Sequence, residues 1–263
     1  AREVAFLEEH TDAGAVFTMD HYIDEDGVRF GGTSVPPELG GTGLLSHEQL
    51  FRHMLRHKNI VLRCPTFMAR ASVLAEVGGF APERWDIASD TELWLRLSRS
   101  RPIGVIDERL VSYRVRRDNW SARYERLRTD PERHFAVLDH YLELDGSRVA
   151  TAHDVREYEF HRCDDETSRA LNHLLLQQWD EARALLRRRY PPATFLVGLR
   201  RRKLKTLVLR AVLRTGLVAH VPGMLTRLLV AAGYKGQLAC PPHASPPSSP
   251  RTPPQSPRTP GRS

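Results

Sequence analysis

CPTFMARASVLAEVGGF at residues 64–80, SDTELWLRLSR at 89–99 and ERLVSYRVRRDNWS at 108–121 decide how this chain is read. The first stretch ends in a Gly78-Gly79-Phe80 turn. The second sets two carboxylates, Asp90 and Glu92, beside an apolar helix face of Leu93, Trp94, Leu95 and Leu97. The third reads as a strand ending in Tyr113-Arg114. A carboxylate on the first turn of a helix, between a glycine turn and a basic strand end, suits a general base.

Working outward, residues 2–10 read as a helix and 14–23 (GAVFTMDHYI), rich in β-branched and aromatic types, as a strand. Asp24-Glu25-Asp26-Gly27 is a turn, and residues 31–43, with five Gly plus Pro36 and Pro37, a loop. Ser46 with Gln49 predicts a capping box opening a helix over 47–57. A strand within 59–69 is interrupted or kinked at Pro65, and 71–77 is a short helix stopped by Gly78. Ser89 with Glu92 predicts a second capping box, for a helix to about Ser100. Residues 103–115 form one strand or a bent pair.

Beyond residue 119 the pattern is helical. A helix face carries Leu138, Tyr141 and Leu142, a helical pair spans 152–190, and further helices are expected at 199–215 and 220–232. The phrase QQWDEARALL resembles one helix of a tetratricopeptide unit, without a second copy. Residues 234–263 are expected to be a disordered Pro/Ser/Arg-rich tail.

With 41% hydrophobic and 27% charged residues the chain reads as globular and soluble. No run of about 18 apolar residues predicts a membrane span, and Arg2, Glu3, Glu8 and Glu9 break any signal-peptide core. Cys64, Cys163 and Cys240 are widely spaced, arguing against a disulfide framework or zinc ribbon and for a reducing, cytoplasmic setting. The net charge of +7 is uneven. After Tyr190 stand 12 basic residues and no acidic one, while the other 27 share residues 1–190 with all 32 acidic ones, a net −5. That asymmetry points to an anionic partner for the C-terminal part.

The order and spacing of these pieces resemble the C-terminal half of a family 2 glycosyltransferase, the inverting nucleotide-sugar type. In that family the turn reads roughly "R…VGGF", the helix begins "EDxxLWLRL" and the later strand ends "YRxH". The resemblance covers about residues 1–125. It implies an α/β, Rossmann-like type A fold over 1–120, followed here by an α-helical region over 121–233. It also implies transfer of a sugar from a nucleotide-sugar donor to a hydroxyl acceptor, aided by Mg²⁺ or Mn²⁺. The nucleotide site and its Asp-x-Asp metal motif would lie upstream of Ala1, leaving this chain alone inactive. The competing expectation is a catalytically inactive remnant that serves as a membrane- or protein-interaction module.

By resemblance Asp90, second of the "ED" pair, is the base that deprotonates the acceptor hydroxyl; Ser89 replaces the first acid. Read alone, Asp90 is a first-turn acid favoured by the helix dipole. Glu92 is the rival base or a capping residue. Arg116 stands where the family often has a metal-binding His. Guanidinium stays protonated and cannot ligate a metal, so Arg116 is a diphosphate contact or a solvated arginine. Gly78 and Gly79 are expected near the donor and acceptor or as a plain helix stop, and Arg70 faces phosphate or water. Trp85 is the better candidate for a sugar-stacking platform, Trp94 being core. His53 and His57 stand one helical turn apart, but lack the HExxH glutamate and an evident third ligand, so they read as solvated or packed.

The segment 199–214 (LRRRKLKTLVLRAVLR) carries seven positive charges. As one helix it sets Lys203, Thr206, Arg210 and Arg214 on one face and Leu204, Leu207, Val208, Ala211 and Val212 on another. It would lie on an anionic membrane surface, peripheral to the inner face, or pack with its basic face solvated. Nucleic acid is the weakest expectation, since aromatics are not interleaved with the charges.

Overall fold

The computed structural model describes residues 1–58, 62–116, 127–219 and 222–233. The expected tail at 234–263 lies outside them. Helix α1 (Arg2–Glu9) leads into β1 (Ala15–Ile23), the central strand. Along one edge, β5 (Ile103–Arg114) runs parallel from Ala15↔Ile103 to Ile23↔Arg114, with register shifts around Met19. The other edge is shared antiparallel by β4 (Phe67–Ala69) at Ala15–Phe17 and β2 (Arg29–Gly32) at His21–Ile23. Strand β3 (Gly43–Leu45) closes the far side of β5 antiparallel.

Period-two alternation fixes what β1 buries on each face. Ala15, Phe17 and Met19 enter the main core with Phe51 and Met54 of α2 (His47–His57) and Leu93, Trp94 and Leu97 of α5 (Ser89–Ser100). Trp94 meets Phe17 edge-on at 4.7 Å. On the opposite face Val16 packs with Phe6, Leu7 and Ile106 under α1. Gly104 makes this possible, because a Cβ there would stand 2.3 Å from the Phe6 ring.

Between these lie α3 (Ala71–Val77) and α4 (Pro82–Trp85). Then come α6 (His134–Val149), α7 (Ala152–Leu175), α8 (Trp179–Arg187), α9 (Pro192–Arg200), α10 (Leu204–Val218) and α11 (Pro222–Ala231). The main core continues through Phe135, Leu138 and Tyr141 of α6 to Tyr158 of α7. A second core joins the end of α7, from Ala170 to Leu175, with Ala182, Leu186, Leu213, Leu217, Leu225 and Leu229. Helix α7 is therefore shared. Its buried Asp154 caps its own start through Thr151 and pairs with Arg52, at 3.0 Å, and Arg56 of α2. The architecture is mixed α/β, with helices on a mixed sheet and more helices after it. No helix among the described residues is long and apolar enough to cross a membrane.

Ser46 and Gln49 form the expected capping box, with both hydrogen bonds present. The second box does not form. A 3-10 turn at Asp86–Ala88 enters α5 directly, so Ser89 is already helical and Ala88 is the uncapped N-cap. The loop expected over 31–43 begins inside β2 and ends in β3, with a 3-10 turn at Pro37–Leu39 between them. The basic segment is two helices, not one. It breaks at residues 201–203, where Arg202 has φ +55° and Lys203 N–H donates back to Gly198 O at 2.8 Å.

Candidate functional site

The two carboxylates of α5 lie two residues apart and so about 200° apart round the helix. Asp90 is half-buried on the side facing the Cys64 turn, where its charge pushes the Cys64 thiol up further than burial alone does. Its Oδ1 accepts from Thr91 N at 2.6 Å and Thr91 Oγ1 at 3.2 Å. No cation among the described residues forms an ion pair with it. Burial raises its pKa, and the Thr91 hydrogen bonds offset only part of that.

Arg63 precedes Cys64 and leads to the carboxyl ends of β1 and β5. Its guanidinium lies 5.0 Å from the Tyr22 ring and 5.5 Å from the Tyr113 ring, and donates to Tyr22 Oη at 2.7 Å. Its Nε stands 3.6 Å from Oδ2 of Asp20, fully buried in β1, whose Oδ1 accepts from Thr33 Oγ1 at 2.6 Å. Sequence reasoning missed Arg63 and Asp20. The available signal was an acid inside an otherwise apolar and aromatic strand, which needs a buried partner.

On the other side of α5, Glu92 is buried and paired with Arg96 at 2.9 Å, and it accepts from Tyr141 Oη at 3.3 Å. Arg96 also donates to Val77 O and, at 2.7 Å, to Gly79 O. The glycine turn is thus wrapped round one guanidinium. Gly78 has φ +88°, the left-handed region, and a Cβ there would touch Arg96 at 3.0 Å. This side opens into a cleft of about 320 Å³ lined by Gly79, Trp85, Glu92, Arg96, Arg99 and His140 among others. Trp85 carries Arg84 over its ring at 4.5 Å and has His140 at 5.4 Å.

The cleft therefore gathers Gly79, Trp85 and Glu92, and leaves out Gly78 and Asp90. Arg70 is elsewhere, and the expectation that it faces phosphate or water is corrected. It donates to Ala13 O at 2.9 Å, to Leu7 O and to His10 O at 3.3 Å, tying down the end of α1. Arg114 likewise holds the Asp24 and Glu25 carbonyls, each at 2.7 Å. Arg116 is exposed just beyond β5. His53 and His57 stack at 4.6 Å, and Glu38, from the 3-10 turn, meets both: the third acidic or imidazole group that the sequence did not reveal. No protein-family model and no curated protein matches this chain.

Proposed function

We propose that residues 1–120 are the acceptor-side half of an inverting type A glycosyltransferase, with Asp90 as general base. The carrying observation is the state of Asp90: a half-buried carboxylate with raised pKa, held by Thr91 and without a cation partner among the described residues. Such a group is poised to take a proton, whereas an ion-paired carboxylate such as Glu92 is spent on structure. The Asp90 charge reaches Cys64, whose neighbour Arg63 stands against Tyr22 and Tyr113 towards the carboxyl ends of the parallel pair β1 and β5, the end at which open α/β sheets bind ligands. Asp90 would remove the acceptor hydroxyl proton as that oxygen attacks the anomeric carbon and the nucleoside diphosphate leaves. Mg²⁺ or Mn²⁺, held by the nucleotide-binding half, would neutralise the departing diphosphate. Arg116 in place of a histidine fits direct contact with that diphosphate.

The protein joined to its nucleotide-binding half and supplied with Mn²⁺ and a hydroxyl acceptor should release nucleoside diphosphate from one of the UDP-, GDP- or dTDP-sugars. The product anomer, read by NMR, should be inverted. Retention of configuration, or no release from any donor, contradicts the reading.

The helical region supports a second reading, contact with an anionic membrane surface. Leu204, Val208 and Val212 stand exposed at one-turn spacing on α10, near Arg202, Lys203 and Arg214, also exposed. Leu196, Leu199, Met224 and Leu228 on the neighbouring helices are exposed too. An apolar stripe with basic flanks is the composition of an interfacial helix.

A further inference from the structure

His53 lies on α2 at 5% exposure, and neither of its ring nitrogens has a hydrogen-bond partner among the described residues. Buried imidazole nitrogens left in that state are unusual, since burial removes water as the alternative partner. Nδ1 of His53 is aimed at Oε1 of Glu38, 3.4 Å away, and Nε2 of His57 reaches the same oxygen at 3.1 Å. All three donor atoms lie within 4.8 Å of one another. Two ligands each about 2.05 Å from a tetrahedral ion are about 3.4 Å apart, so the nitrogen–oxygen separations are those of a shared ion.

We propose that Glu38, His53 and His57 form a three-ligand site for a transition-metal dication of the Zn²⁺ type, which clips the loop between β2 and β3 onto α2. The proposal is independent of the glycosyltransferase reading.

A neutral imidazole has a ring lone pair to give to a metal. The charged groups facing His57 from the packed elements are Arg56, Arg201 and Glu157. Arg56 is paired with Asp154, and Arg201 with Glu157 at 2.5 Å, so their positive charge is largely compensated. Two nitrogens and one carboxylate suit Zn²⁺, Co²⁺ or Ni²⁺ and not Mg²⁺, which demands oxygen ligands. His57 and Glu38 are both partly exposed, which gives the ion an entry path and leaves its fourth position to water.

Calorimetry of the full chain with ZnCl₂, with MgCl₂ as control, tests this. The expected result is a Zn²⁺ site of micromolar or tighter Kd, a melting temperature raised by Zn²⁺ alone, and tetrahedral visible absorption with Co²⁺. His57→Ala and Glu38→Gln should each weaken that site at least tenfold and abolish the melting shift. Glu38 is exposed, so Glu38→Gln decides the matter if His57→Ala fails to fold. Equal Zn²⁺ affinity in wild type and Glu38→Gln places the metal on other histidines or cysteines and overturns the proposal. So does the absence of Zn²⁺ binding, or Mg²⁺ binding as tight.

Discussion

Asp90 and Glu92 share a helix and a chemistry, yet their surroundings assign them different work. Glu92 is held by Arg96 and Tyr141 in the wall of the core, while Asp90 sits half-buried with Thr91 as its side chain's hydrogen-bond partner among the described residues. Sequence spacing put both carboxylates on the first turn, and there its power ended. Which one was compensated depended on α4 and the 3-10 turn, which displaced Ser89 from the capping position, and on Arg96 turning back to the glycine carbonyls. The contrast can be measured without any substrate. Glu92→Gln leaves Arg96, a quarter exposed, without its charge partner, and should cost about 2–3 kcal/mol in urea unfolding. Asp90→Asn should leave neutral-pH stability unchanged or raised. The sign follows from the raised native pKa, which exceeds the unfolded value near about 3.9. Below both values the carboxyl is neutral in either state and costs nothing. As pH rises through the window between them, ionisation penalises the native state. The stability advantage of Asp90→Asn should therefore grow with pH through the carboxylate range and then level off. Loss of stability in Asp90→Asn at pH 7 would instead mark Asp90 as a structural helix-dipole acid.

At the scale of elements, strong local signals were legible. β-branched and aromatic content marked β1, and Ser46 with Gln49 marked the start of α2. The basic segment was not, because its periodicity is compatible with one continuous helix. Two tertiary facts break it. Gly198 packs so closely that a Cβ would lie 2.5 Å from the Phe160 ring, and Arg201 is drawn to Glu157 and to Arg56 O. The same packing turns the middle of the expected basic face inward, while Lys203 and Arg214 at its ends stay exposed. Arg210 is buried against Glu166 and Thr167, and Thr206 donates to Asp164 at 2.6 Å. The outward face is the apolar one, at Leu204, Val208 and Val212. If that stripe meets an anionic membrane, the chain should co-sediment with phosphatidylserine-containing vesicles and not with neutral ones. Each nearby basic residue adds about 1 kcal/mol. Arg202→Gln, Lys203→Gln and Arg214→Gln together should release most of the protein, as should Val208→Asp. Arg201 and Arg210 are kept, since they hold the fold. Sedimentation unchanged by the triple variant, or absent with anionic vesicles, would contradict membrane contact.

For the molecule as a whole, composition located the charge asymmetry but not the joint between its sheet and helical regions. That joint is α2 against α7, where Asp154 faces Arg52 and Arg56 and where His161 Nε2 meets Arg56 O at 2.7 Å. No local pattern links residues about 100 positions apart. Burial works against the ionised Asp154 carboxylate, but hydrogen bonds from Thr151 and Arg56 outweigh it and hold the pKa below the usual range. A depressed native pKa gives stability that is present above the unfolded value and is lost as pH falls through the native one. Asp154→Ala removes two charge pairs and a helix cap, and should cost about 3 kcal/mol or more, with an acid limb shallower than that of the wild type. A cost below about 1 kcal/mol in urea unfolding would show that the joint does not depend on this clamp. The resemblance covers the sheet region alone, and the functional reading turns there on Asp90, a half-buried carboxylate with no ion pair among the described residues. The most direct test is the turnover of Asp90→Asn in the protein joined to its nucleotide-binding half, at saturating donor and acceptor. Asparagine keeps size and hydrogen bonding but cannot take the proton. The account predicts kcat lower by about 10²–10⁴ with donor Kd unchanged, while turnover near that of the wild type would contradict it.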